Sequence, residues 1–80
     1  MSFWTEKDNA LYAEFKFKDF TQAFGFLSQV AILMEKHNHH AKIENMYNRV
    51  MLELTTHDAG NTVTEKDHKL AAAIEGLLDE

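Results

Sequence analysis

From Ala10 to Lys18 apolar and polar side chains alternate, with Leu11, Ala13, Phe15 and Phe17 on one side and Tyr12, Glu14, Lys16 and Lys18 on the other. A period of two marks a half-buried strand, because successive side chains leave opposite faces of a pleated backbone. Ahead of it, Ser2 to Glu6 carries Phe3 and Trp4 and predicts a shorter strand, with the polar run Lys7-Asp8-Asn9 as the turn of a hairpin. At Asp19 the period changes. Asp19 is a suitable helix cap, Gln22 stands three residues on as in a capping box, and Phe20, Ala23, Phe24, Leu27, Val30, Ala31 and Met34 recur at helical spacing. These residues are the expected core face. Phe26 and Leu33 form a second stripe that Ile32 widens, so the helix is more apolar than a one-sided surface helix needs to be. That stripe suits either a neighbouring loop or a subunit contact, and close packing would explain Gly25 within the helix.

The helix is expected to end between His37 and His40, with Asn38 as its terminal residue. Two strands follow, Lys42 to Tyr47 and Val50 to Thr56, joined by a tight turn at Asn48-Arg49. Val50, Leu52, Leu54 and Thr56 share the core face, and Met51, Glu53, Thr55 and His57 the other. This pairing puts Asn45 on the core side, where an amide is out of place. Ala59-Gly60-Asn61 reads as a loop. Thr64-Glu65-Lys66-Asp67 resembles a capping box with Asp for Glu, opening a helix whose core face is Leu70, Ala71, Ile74, Leu77 and Leu78. The order β-β-α-β-β-α predicts an α+β fold, a four-stranded antiparallel sheet with helices packed on one face.

Eighty residues make a single domain, 1–80, near the lower size at which one core sustains a fold. With no cysteine, neither disulfides nor a thiolate metal site supplies extra stability. The over-apolar helix and the small core together lead us to expect a homo-oligomer, a dimer or a tetramer. A formal charge of −5 disfavours a phosphate-tracking surface, so no nucleic-acid partner is expected. The longest apolar run, Val30 to Met34, is far short of the ~20 residues that cross a bilayer. Met1 to Lys7 lacks a leader-like pattern, so no membrane partner is expected and the cytoplasm is the default compartment.

The chemistry-bearing stretch is Glu-Lys-His-Asn-His-His, Glu35 to His40. Histidine exchanges protons near neutrality without special tuning, so this cluster and His57, at the exposed end of a strand, form a candidate acid-base site. The alternative uses of these residues are ordinary ones. His37 at the helix end and His68 within the last helix read as solvated side chains, Asp67 as a first-turn acid, and Glu35 as the partner of a lysine. A metal site drawn from His37, His39, His40 and His57 is the competing chemistry, although His37 and His39 point to different sides of a helix.

One spacing ties these residues together: Glu35, three residues, His39-His40, six residues, Tyr47, nine residues, His57, nine residues, Asp67. It resembles the pattern of the pterin-4a-carbinolamine dehydratase family, as does the wording Thr56-His57-Asp58 with Gly60 close behind. The resemblance implies removal of water from a 4a-hydroxytetrahydropterin, the product of pterin-dependent aromatic amino-acid hydroxylases, with no metal or organic cofactor. It implies catalytic roles for His39, His40 and His57, and substrate-binding or supporting roles for Glu35, Asn38, Ile43, Asp58 and Asp67. His57 and His39 are the expected proton-transfer pair, with His40 orienting the substrate. The chain departs from the family at Ala41 and Ile43, where proline and tryptophan are usual, and at Asn38, where an acid is common. It also starts almost at the first strand, where the family carries a further N-terminal helix. Animal members assemble through sheet edges and helix faces. A non-catalytic protein-protein interaction module on the same scaffold is the alternative.

Overall fold

In the computed structural model, which describes residues 3–78, the chain runs β1 (Thr5–Lys7), β2 (Ala10–Lys16), α1 (Phe20–His37), β3 (Lys42–Met46), β4 (Arg49–Leu54) and α2 (Glu65–Gly76). The strands form one antiparallel sheet in the order β1-β2-β4-β3. Leu11, Ala13 and Phe15 of β2 and Val50, Leu52 and Leu54 of β4 are buried against both helices, while Tyr12, Glu14 and Met51 face outward. The α+β class and the β-β-α-β-β-α order are those predicted.

The opening hairpin is tighter than expected. Asp8 and Asn9 alone turn the chain, both with left-handed φ (51° and 64°), as a two-residue turn of primed type requires. β1 starts at Thr5 and ends at Lys7; the predicted Ser2 lies outside the described residues. β2 stops at Lys16, and Phe17 is instead clasped at both backbone groups by Asn48. Its N–H donates to the Asn48 carbonyl at 2.8 Å, and its carbonyl accepts from the Asn48 amide at 2.9 Å.

That clasp bears on the second hairpin, whose turn falls at Tyr47-Asn48 and not at Asn48-Arg49. Arg49 is held in β4 by Glu14 of β2, at 2.9 and 2.7 Å from Nε and Nη2, and Tyr47 takes the left-handed conformation (φ 53°). Asn45 does pair opposite the buried Val50, on the core side of the sheet. It is nevertheless exposed, because β3 is an edge strand beyond the helices, and its amide donates to the Tyr47 and Arg49 carbonyls at 3.3 and 2.9 Å. β4 ends at Leu54; Thr56 makes an isolated bridge with Thr62.

Helix α1 turns out to be rotated relative to the expected phase. Its buried residues are Ala23, Phe26, Leu27, Val30 and Met34, with Leu33 partly buried beside them. Phe26 and Leu33 therefore belong to the core, whereas Phe20, Phe24 and Ala31 face outward with Ile32, a shift of about 60° around the axis at 100° per residue. Phe26 is drawn in by aromatic contacts with Phe15 and Phe17, each at 5.0 Å between centroids. The cap is half a capping box: Asp19 Oδ1 accepts from the Gln22 N–H, but the Gln22 side chain reaches back to the N–H of Lys18. Gly25 is not a close-packing site, since a Cβ there would meet nothing within 4 Å.

Candidate functional site

Three local devices build the site. The first ends α1: Asn38 is left-handed (φ 52°, ψ 43°), a conformation asparagine tolerates well. Its N–H donates to the Glu35 carbonyl at 3.2 Å and the next N–H, of His39, to the Met34 carbonyl at 3.1 Å, so the backbone of His39 is pinned to the last turn. Ala41, where proline is usual, donates its N–H to Met34 Sδ at 3.0 Å, giving the extra N–H a weak partner.

The second device is the start of α2. Thr64 caps it, its Oγ1 accepting from the Lys66 N–H at 3.3 Å while Asp67 Oδ2 accepts from the Thr64 N–H at 2.9 Å, so the expected capping box is formed. Asp67 does more than cap. It is fully buried; its Oδ1 lies 2.6 Å from Nε2 of the mostly buried His39, and Oδ2 also accepts from the Thr56 hydroxyl at 2.7 Å. Thr56 thereby spends its hydrogen on the carboxylate, so Thr64, 2.6 Å away, donates to Thr56 Oγ1. Burial alone pushes the Asp67 carboxyl up, but the hydrogen bonds from His39, Thr56 and the Thr64 N–H, with the charge of His39, outweigh it and hold the group below its ordinary 3.8. An ionised Asp67 accepts only, so His39 carries its proton on Nε2 and offers Nδ1 as its other nitrogen.

The third device is the segment after β4, where His57–Ala59 form a short 3-10 turn closed by the Thr56-Thr62 bridge. His57 Nδ1 lies 2.9 Å from Asn61 Oδ1.

These devices meet at an open recess of about 250 Å³. Of the predicted residues, Asn38, His39, His40, His57 and Asp58 line it. Asp67 stands behind His39, and Glu35 holds His40 from outside, Oε2 to Nε2 3.1 Å, with both side chains well exposed. Ile43 is not among the lining residues; it sits on the edge strand opposite Leu52. His37 and His68 are exposed and apart from the recess. Among the described residues no group of three or more His or acidic side chains has metal-holding geometry. The sequence reading missed Thr55, Thr56 and Lys66 in the lining, and Thr64 and Asn61 behind it. Thr56 had a visible signal, a hydroxyl in line with the apolar face Val50-Leu52-Leu54, which needs a buried partner.

No helix among the described residues is long and apolar enough to cross a membrane. A family profile described as pterin 4 alpha carbinolamine dehydratase matches residues 1–77. Relatives bearing that family's name in Prochlorococcus marinus (strain NATL2A) and Solibacter usitatus (strain Ellin6076) are each 47 % identical over 76 residues, 95 % of this chain and 79 % of theirs. A solved structure from Brucella melitensis, described as a transcriptional coactivator/pterin dehydratase, matches with a TM-score of 0.86 at 45 % identity, over 92 % of this chain and 80 % of that one. A pterin dehydratase-like protein described as a RuBisCO assembly factor in the alpha-carboxysome shares the fold alone, at 23 % identity and a TM-score of 0.79 over 100 % of this chain and 93 % of that one. With a profile match over almost its whole length and relatives nearly half identical, the chain belongs to the pterin-4-alpha-carbinolamine dehydratase family.

Proposed function

We propose that this chain removes water from a 4a-hydroxytetrahydropterin to give a quinonoid dihydropterin by histidine acid-base catalysis. The observation that carries the reading is a buried, hydrogen-bonded Asp67-His39 pair sharing one recess with His57. The departing hydroxyl takes a proton from an acid and leaves as water, while a ring N–H gives its proton to a base, so the protein ends each cycle with its protons unchanged. Two imidazoles supply both functions, and the steps balance without a metal or organic cofactor. His39 and His57 are the transfer pair; His40, steadied by Glu35, orients the substrate, and Asn38 and Asp58 contact it from the rim. Asp67 acts through His39.

The test is the rate of carbinolamine dehydration, coupled to a pterin-dependent hydroxylase. The expected result is a rate well above the spontaneous one, and equality of the two would sink the reading.

In this reading the protein works in the cytoplasm beside an aromatic amino-acid hydroxylase, as a homodimer or homotetramer. Support for assembly comes from the outward face of α1, where Phe20, Phe24 and Ile32 are 45, 54 and 63 % exposed, and from the fully exposed edge strand β3. Light scattering at micromolar concentration is expected to give at least twice the 9.2 kDa chain mass, and a stable monomer would refute assembly. The same apolar face is what favours the alternative, a non-catalytic interaction module. What weighs against that alternative is the recess itself, which His39, held by a buried carboxylate, lines together with His57.

A further inference from the structure

We infer that Asn61 is a positioning residue that holds His57 in the Nδ1–H tautomer, leaving Nε2 as the atom that takes the substrate's proton. The inference rests on the proposed dehydration for its catalytic use, but not for its geometry.

An amide oxygen only accepts, so the 2.9 Å contact of Asn61 Oδ1 with His57 Nδ1 places a hydrogen on Nδ1 in both the neutral and the charged ring. Neutral His57 then has its lone pair on Nε2. His39 is fixed the opposite way, since its Nε2 is committed to Asp67 and its open nitrogen is Nδ1. The two imidazoles of one recess are thus held in opposite tautomers by different partners, a buried carboxylate for one and an exposed neutral amide for the other. The difference in partner decides which nitrogen each ring presents: the Asp67 carboxylate engages Nε2 of His39 and leaves Nδ1 open, whereas the Asn61 amide oxygen engages Nδ1 of His57 and leaves Nε2 open.

Asn61 is itself well placed. Gly60 (φ 84°) and Asn61 (φ 58°) are both left-handed, and the Asn61 N–H donates to the Thr56 carbonyl at 3.1 Å. The loop thereby turns back on β4 and brings residue 61 beside residue 57. A left-handed site accepts glycine at least as readily as asparagine, so backbone conformation alone does not require the amide. Asn61→Gly consequently removes the side chain with little cost to the loop, and Asn61→Asp keeps an acceptor while adding a charge.

Ring nitrogen-15 NMR of histidine-labelled protein reads the tautomer whether or not the protein is active. In the wild type, neutral His57 is expected to show a protonated Nδ1 and an unprotonated Nε2. Asn61→Gly is expected to shift it to a tautomer mixture, with kcat down about tenfold, the worth of one hydrogen bond, and KM and thermal midpoint little changed. Asn61→Asp is expected to keep the Nδ1–H tautomer, because a carboxylate oxygen at that place also only accepts. A wild-type His57 protonated at Nε2, or a tautomer unchanged in Asn61→Gly, would overturn the inference. The expected tautomers in a protein that does not accelerate dehydration would instead overturn the proposed reaction and leave control by Asn61 standing.

Discussion

His57→Ala is expected to lower kcat for carbinolamine dehydration by about 10²- to 10⁴-fold, the range associated with one general acid or base, while changing stability by no more than about 0.5 kcal/mol. The two halves of this expectation have separate origins. His57 lines the same recess as His39, so its loss removes one end of the proposed proton transfer. It is also exposed on a surface turn, and its side chain supports no part of the core. Steady-state assays beside thermal unfolding separate the halves. A variant that retains the wild-type rate above background would remove His57 from the transfer pair and leave His39 to find another partner. A variant that unfolds early would show that the Asn61 contact closes the 56–62 loop, a structural task the exposed geometry does not suggest.

What the sequence reveals of this protein depends on how local the responsible physics is. The alternation of Leu11, Ala13 and Phe15 against Tyr12, Glu14 and Lys16 is a backbone property, and β2 follows it residue by residue up to Lys16. Asn38 and the Thr64-Asp67 box are equally local, and both helix ends fall where they direct. Helix α1 is different. With apolar residues at 20, 23, 24, 26, 27, 30, 31, 32, 33 and 34, it carries overlapping stripes, and the rings of Phe15 in β2 and Phe17 just beyond it mark which is core. The turn at Tyr47-Asn48 was hidden for the same reason, since Asn48 is bonded to Phe17, 31 residues away. In the site, it was a spacing shared with a known family that associated His39, His57 and Asp67. It could not show that Asp67 is wholly buried, because that depends on how α2 lies against β4, and it could not show that Thr56 and Thr64 join the carboxylate. Ile43, named only through the family resemblance, lies on the edge strand opposite Leu52 and outside the recess lining.

Asp67→Asn is expected to have the largest combined effect of any single substitution in the site. Three donors converge on the carboxylate, from His39 Nε2, the Thr56 hydroxyl and the Thr64 N–H. An asparagine is nearly isosteric but offers one acceptor atom and one NH2, so at least one of the three donors loses its partner inside the fold. If the NH2 faces His39, the imidazole must present a lone pair at Nε2 and move its proton to Nδ1, which reverses the tautomer needed for exchange with the substrate. The expected consequences are a loss of kcat of about 10²-fold or more and a stability decrease of about 2–4 kcal/mol, since a buried charge-assisted network is broken on one side. For an 80-residue chain holding about 4–12 kcal/mol in all, that decrease leaves a folded but weakened protein, whereas Asp67→Ala removes all three acceptor contacts and risks unfolding it. The pH dependence carries a definite sign. Asp67 is held below 3.8 in the fold, so its contribution is fully present above the unfolded carboxyl range and is lost as pH falls through the folded value. Within that interval the unfolded chain binds more protons than the native one, and stability rises with pH. Urea unfolding of wild type and Asp67→Asn between neutrality and about pH 3 is therefore expected to show a constant gap down to about pH 5 that narrows below about pH 4. A gap that stays constant through the acid range would show that the carboxylate's charge does not stabilise the fold, and the account of His39 as an imidazole anchored by an anion would fail with it.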